Sequence, residues 1–252
     1  MDSTSFLIVD EQPINLSQAL KYLQTSGKLQ PFILEILRQR ILETELQTRK
    51  DLEINPGVIE QAIIDFRLQQ QLTDPNNFQE WLINNGLDYP TFHQQVVFNF
   101  KLEKLRNNIT EPKIQEYFIE QKIFLDRVVL SRIVVKEQEL AEELKSQILE
   151  GARFEQLAQE YSVTDDRIVN GMMGPISRGQ LPDALRALIE LVNPGEVVGP
   201  IEIDDWYCLF RVEQFIPATL EGAVKQELEN QLFEQWLGEK MQKLNIKLQV
   251  NS

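Results

Sequence analysis

At Asp126 the chain changes its period, and that change limits the folds open to it more than any other feature. Upstream, from Ile14 to about Leu125, apolar residues recur at three- and four-residue spacing, and strand-like runs are few. Directly downstream, RVVLSRIVV is short and rich in β-branched residues, as a strand should be. The order that follows reads strand, two helices, strand, helix, strand, strand, which predicts a small sheet flanked by helices. The fold class expected is α+β, a helical body followed by a small antiparallel sheet domain.

In the helical part, Leu29, Phe32, Ile33, Ile36, Leu37, Ile41 and Leu42 form an apolar face for a long helix. Asn55-Pro56 reads as an N-cap with proline at the first helical position, opening a helix that buries Ile59, Ile63 and Phe66. Asn77 with Glu80 predicts the start of a short helix carrying Phe78 and Trp81, and Asn85-Gly86 its end. A helix over about Thr91 to Asn107 follows. Thr110 is then expected to cap a last one with Ile114, Tyr117 and Phe118. Past the sheet, Leu220, Val224, Leu228, Leu232 and Trp236 repeat every four residues. A helix so apolar on one face needs a partner. The N-terminal helices and a second copy of the chain are the two that would serve, and packing back on the N-terminal helices is the expectation. Residues 1–125, 126–216 and 217–252 are thus read as a helical domain, a sheet domain and a returning helix.

The chain is acidic, with 39 Asp and Glu against 25 Lys and Arg among 252 residues, a formal charge of −14. Nucleic-acid binding requires the opposite sign. Docking on an anionic lipid surface is disfavoured for the same reason. No stretch approaches the ~20 apolar residues of a spanning helix, so no membrane insertion is expected. The opening residues, MDSTSFLIVDEQP, lack a basic cluster, and their one apolar run, FLIV, is shorter than a signal peptide needs. One cysteine, Cys208, excludes an internal disulfide. A cytoplasmic chain is the expectation. No phosphate-binding glycine loop or nucleophile–base pair is present, so no cofactor is expected. Asp165-Asp166 and Asp204-Asp205 fall in predicted turns, where Asp stabilises the bend, and are read as turn formers rather than metal ligands.

Over about 90 positions, from Arg127 to Phe215, the chain resembles the parvulin domain, the PpiC-type rotamase fold of SurA- and PrsA-type chaperones and of NifM-like maturation factors. LSRIVV stands where that family has S-H-I-L-V. GARFEQLAQEYS matches G-x-x-F-x-x-L-A-x-x-x-S. NGMMGPISRGQLPDAL parallels G-G-D-L-G-x-F-x-R-G-Q-M-x-x-x-F, and NPGEVVGPIEIDDWYCLFRV parallels G-E-V-S-x-P-V-x-T-x-F-G-Y-H-I-I-K-V. The helical first part and terminal helix also suit a SurA-like arrangement.

The resemblance implies a peptidyl-prolyl isomerase fold whose partners are unfolded or extended polypeptides containing proline. Such a site must favour the twisted amide over both planar forms of a bond with a barrier of about 18–20 kcal/mol. The family does so with an apolar slot for the proline ring and a polar cluster of two histidines, an Asp or Cys, and a Thr or Ser. Position by position, that cluster falls here on Arg132, Thr164, Ile203 and Cys208, none of them the usual residue, and the chain's one histidine is His93, in the helical part. The slot is better kept, with Met173, Leu181 and Leu185 in place of the family's apolar residues and Trp206 near the mouth. Cys208 itself reads as a small buried hydrophobe, and Arg132 as either a pocket residue or a strand-edge arginine paired to an acid. The expectation is a chaperone or maturation factor that grips proline-containing segments with weak or absent catalysis. An active isomerase is the alternative, and a subunit docked to an export or assembly complex is a second.

Overall fold

A computed structural model describes residues 5–247. The ends of the first and last expected segments, residues 1–4 and 248–252, lie outside the described residues. Two compact units are formed, one from the residues up to Ile114 with those from Glu229 on, the other from Gln115–Leu228.

The first unit opens with a feature the helical reading does not contain, an antiparallel hairpin of β1 (Ser5–Val9) and β2 (Gln12–Asn15). Asp10 and Glu11 turn it with φ of 47° and 64°. The region of helical spacing expected from Ile14 opens with α1 (Leu16–Thr25), because Asn15 caps it. The Asn15 Oδ1 accepts from the Gln18 backbone N–H at 2.9 Å, while Gln18 Oε1 accepts from the Asn15 N–H at 3.0 Å, a reciprocal capping box.

α2 (Leu29–Thr48) buries Ile41, Leu42 and Leu46, but the first half of its expected stripe is open, with Phe32 and Ile36 exposed. α3 (Pro56–Gln69) begins at Asn55 as expected, its Oδ1 accepting from the Gly57 N–H. The next helix starts earlier than Asn77. α4 (Pro75–Asn84) is capped by Asp74, whose Oδ1 accepts from the Asn76 and Asn77 N–H groups, with Pro75 needing no partner at the first position. Likewise α5 (Tyr89–Thr110) begins at Asp88, which accepts from the Thr91 N–H at 2.8 Å. Thr110, expected to cap the following helix, is instead the buried last residue of α5.

Two apolar clusters hold this unit. Ile59, Ile63, Phe78, Leu82 and Phe92 join α3, α4 and α5, with Phe66 edge-on to Trp81 at 5.2 Å between centroids. Ile41, Leu42, Leu46, Leu52, Leu105 and Ile109 pack with Phe233 and Leu237 of α10 (Gly222–Gln242). Arg38 pairs with Glu234 at 2.7 Å, and Lys240 pairs with Glu45, on the same α2–α10 contact.

In the second unit, α6 (Ile114–Leu125) leads into a four-stranded antiparallel sheet of order β4-β3-β6-β5. Its strands are β3 (Arg127–Val135), β4 (Met172–Ser177), β5 (Val197–Ile203) and β6 (Trp206–Ile216). α7 (Gln138–Leu149) and α8 (Phe154–Tyr161) follow β3, and α9 (Asp183–Ile189) lies between β4 and β5. Side chains alternate along a strand. Ile133, Val135 and Leu209 therefore pack with Ala141, Leu144, Phe154 and Leu157 on one face. Val128, Leu130, Val134, Cys208, Phe210 and Val212 pack with Leu181, Leu185 and Ile189 on the other.

Asp126 pins this unit together. It is nearly fully buried and bonds Lys122 Nζ at 2.7 Å, while its Oδ1 accepts from the Ala218 N–H at 2.8 Å and its carbonyl accepts from the Arg178 N–H at 2.9 Å. Among the described residues no helix is long and apolar enough to cross a membrane.

Candidate functional site

The α9 face of the sheet opens into a cavity of about 590 Å³, within the ~300–1,000 Å³ span of ligand pockets. Alternation decides which residues reach it. Val134 pairs with Cys208 and Arg132 with Phe210 across β3 and β6, so these four side chains share one face. Ile203 and Trp206 pair at the end of the β5–β6 hairpin, whose turn residues Asp204 and Asp205 take φ of 50° and 64°. Aspartate tolerates that left-handed region, which accounts for the pair as the turn that sets Trp206 at the mouth.

The four positions matched to the polar cluster, Arg132, Thr164, Ile203 and Cys208, all line this one cavity. So do Met173, Leu181, Leu185 and Trp206. Leu181 and Leu185 are also buried members of the core, whereas Trp206 is 38% exposed. Phe210, Ile176, Val134 and Val163 extend the apolar lining, and Gln180 and Asp204 also border it.

One wall is polar, and its hydrogen bonds can be assigned in full. Arg132 Nε donates to Asp166 Oδ2 at 2.7 Å, and Thr164 Oγ1 donates to Asp166 Oδ1 at 2.6 Å. Having given its one proton to the carboxylate, Thr164 must accept from Ser162 Oγ, 3.0 Å away. Ser162 Oγ in turn accepts from the Val134 N–H at 3.1 Å. The chain of donors runs from the β3 backbone through Ser162 and Thr164 to Asp166, where Arg132 arrives from the other side. These partly buried bonds hold the Asp166 carboxylate from two sides and anchor the Arg132 Nε.

Backbone contacts hold this wall in place. The Val163 N–H donates to the Val134 carbonyl at 3.0 Å, tying the segment after α8 to β3. Asp166 sits in a 3-10 turn over Asp165–Val169. The Gly171 N–H donates to the Asp166 carbonyl, and the Arg132 N–H to the Gly171 carbonyl, both at 2.8 Å. Gly171 has φ +75°, and a Cβ there would stand 2.1 Å from the Arg132 carbonyl oxygen. Only glycine lets the turn approach the strand this closely.

Asp166 and Ser162 are the site residues missed in the sequence. In the sequence Asp166 stands out only as half of a turn-forming Asp pair, and Ser162 only as the serine that ends GARFEQLAQEYS. The signal that marks them is the Ser-x-Thr-x-Asp spacing, which can place three side-chain oxygens along one turn. Arg132 is paired to an acid, as one reading of it held, but on the cavity wall. Cys208 is buried, and that burial pushes its thiol above the usual range, against the opposing pull of the Arg132 charge. A nucleophilic thiolate is therefore not supported near neutral pH. Among the described residues, no group of three or more His, Cys, Asp or Glu side chains could hold a metal ion. His93 lies in the first unit, 3.6 Å from Glu60.

Residues 109–225 match the sequence model of the PPIC-type PPIASE domain. The chain is 26% identical over 149 residues to foldase protein PrsA 2 of Listeria innocua, covering 57% of this chain and 50% of that protein. It is 24% identical over 210 residues to the chaperone SurA of Pectobacterium atrosepticum, covering 75% and 48%. The chain thus spans about half the length of these curated relatives. Among solved structures it is similar to the peptidylprolyl isomerase PrsA of Bacillus cereus, with 16% identity, a TM-score of 0.43, and 99% and 96% of the two chains covered.

Proposed function

With a PPIC-type PPIase domain carried at residues 109–225 as the premise, we propose that the protein is a chaperone or maturation factor that holds extended, proline-containing polypeptide segments in the cavity beside α9. The observation that supports this reading is the cavity itself. Its floor is made by Met173, Leu181, Leu185 and Phe210, and the half-open Trp206 ring stands at its rim. An apolar floor with few polar groups suits a prolyl ring or an aliphatic side chain, and a rigid indole at the mouth contributes area at little entropic cost. The relatives named foldase and chaperone are consistent with polypeptide clients.

Calorimetric titration of the full chain with a blocked peptide containing Leu-Pro, and with its Leu-Gly counterpart, tests the proposal. The proline peptide should bind more tightly, and Trp206→Ala should weaken it about tenfold, the cost of truncating a well-packed aromatic contact. Equal affinity for the two peptides would remove proline from the proposal, and unchanged affinity in Trp206→Ala would remove the cavity.

A second reading, an active isomerase, is favoured by one observation. The polar wall holds an ordered, charged side chain, Arg132, where the resemblance left only the loss of the usual cluster.

A further inference from the structure

We propose that Arg132 is the catalytic residue of a histidine-free prolyl isomerase site, with Asp166 and Thr164 as its positioning residues. The proposal rests on the reading that the cavity takes a prolyl segment, and it adds what happens to the bond once the segment is seated.

The chemistry of the amide sets the requirement. In either planar form the nitrogen lone pair is delocalised into the carbonyl, and the nitrogen is a poor acceptor. Halfway through the rotation that overlap is lost, and the lone pair sits on the nitrogen as a base. A donor aimed at that nitrogen finds a partner only in the twisted state, so its hydrogen bond lowers the barrier without tightening ground-state binding. A donor aimed at the carbonyl oxygen does the reverse, since the planar amide is the better oxygen acceptor. No bond is made or broken and no proton is transferred, so the group needs only to be a fixed, charged donor. A titratable base is not required.

Arg132 meets that description. Arg132 lines the cavity, and its Nε is held by Asp166 Oδ2 at 2.7 Å. The other carboxylate oxygen is held by Thr164 Oγ1 at 2.6 Å. Fixing Nε fixes the plane of the whole guanidinium, because the group is flat. Its Nη1 and Nη2 donors take no hydrogen-bond partner among the described residues, so one charged fork with free donors stands in the wall. The remaining polar groups of the lining serve less well. Thr164 has given its proton to Asp166, Asp204 can only accept, Cys208 carries a weak S–H donor, and Gln180 is an exposed side chain with no fixed partner. A prolyl ring resting on Met173, Leu181 and Leu185 carries its nitrogen on the ring edge, where a donor from the wall can reach it.

A charged hydrogen bond made only in the twisted state should accelerate the rotation about tenfold to a hundredfold. The test is two-dimensional NMR exchange on a blocked Ala-Leu-Pro-Phe peptide with the full chain, with affinity measured separately by shift titration. Wild type should bind and speed cis–trans exchange. Arg132→Gln should lose at least tenfold in exchange at saturation with less than a threefold change in Kd. Arg132→Lys, which keeps the charge but not the fork, should retain part of the rate and serves if the glutamine variant does not fold. Asp166→Asn should lower exchange without lowering affinity, and Asp166→Glu should recover part of it. Wild type that binds the peptide without faster exchange would overturn this proposal and leave the client-binding reading standing. Exchange at the wild-type rate in Arg132→Gln would overturn it as well. So would equal losses in Kd and rate, which would make Arg132 a binding group. Failure of wild type to bind the peptide at all would instead remove the reading on which the proposal rests.

Discussion

Gly171 and Gly174 offer a paired test of how the polar wall is held. Both have φ +75°, in the left-handed region where a side chain costs about 1–2 kcal/mol. They differ in what a methyl would meet. At Gly174 nothing lies within 4 Å, whereas at Gly171 the new Cβ would stand 2.1 Å from the Arg132 carbonyl oxygen and 3.2 Å from its nitrogen. The obstacle is backbone, so relief requires the turn to move away from β3. That movement stretches the 2.8 Å bond from the Arg132 N–H to the Gly171 carbonyl and disturbs the 2.8 Å bond from the Gly171 N–H to Asp166. Each such bond contributes about 1 kcal/mol. Gly174→Ala should therefore cost about 1–2 kcal/mol, and Gly171→Ala about 3–4 kcal/mol. Hydrogen exchange of peptides from β3 and β6, read by mass spectrometry, reports the opening free energy of this sheet specifically. Two variants within about 0.5 kcal/mol of each other, inside the usual spread of additive effects, would refute the close approach as the reason for glycine at 171.

Three further outcomes are expected. Asp126→Ala should destabilise the second unit by about 1–3 kcal/mol, measured by the same exchange experiment, because it leaves the Ala218 N–H without its acceptor and removes the acid paired with Lys122 and, at 3.6 Å, with Arg178. A cost under about 1 kcal/mol would mean the hub is replaceable by water. Cys208 should react with a disulfide reagent on the order of a hundredfold more slowly in the native chain than in denaturant, since burial both blocks the thiol and raises its pKa. Fast native labelling would show the cavity floor to be open. The Glu155 carboxyl is held below its ordinary range, first by its own backbone N–H and then by Arg211, 2.9 Å away. A depressed acid contributes stability above its unfolded pKa, about 4.3, and loses it as the pH falls through the folded value. Stability of the second unit should thus fall below about pH 4.5, and Glu155→Gln should flatten that fall. An unchanged pH profile in the variant would assign the dependence to other groups.

The parts of the fold that read well from sequence are those set by local period and composition. RVVLSRIVV is buried along most of its length, as a strand covered on both faces must be, and the six-element order after it (two helices, strand, helix, strand, strand) is the observed one. Asn55-Pro56 and Asn85-Gly86 mark helix ends because capping uses residues within one turn. What escaped was set by competition or by distance. Asp74, followed directly by Pro75, and Asp88, with Pro90 two residues on, outcompete Asn77 and the Thr91 start because they satisfy the first free N–H groups one turn earlier. FLIV becomes half of a hairpin only through a partner strand that contains a proline, QPIN, which is a weak strand signal on its own. The apolar stripe of α2 predicts burial along the whole helix, yet only Ile41, Leu42 and Leu46 meet α5 and α10. At the site, the shared cavity of Met173, Leu181 and Leu185 was legible because its residues stay apolar. The polar wall was not, because Arg132 and Asp166 are 34 positions apart and become partners only once the turn after α8 lies against β3.

The most direct test of the proposal that the cavity binds client segments is NMR of the full chain with labelled methyl groups and tryptophan side chains, titrated with the Leu-Pro peptide. Saturable shifts are expected at the Met173, Leu181 and Leu185 methyls and the Trp206 indole, with Leu42 and Ile59 in the first unit unmoved. Shifts confined to the first unit, or no shifts at a peptide concentration well above millimolar, would contradict the proposal.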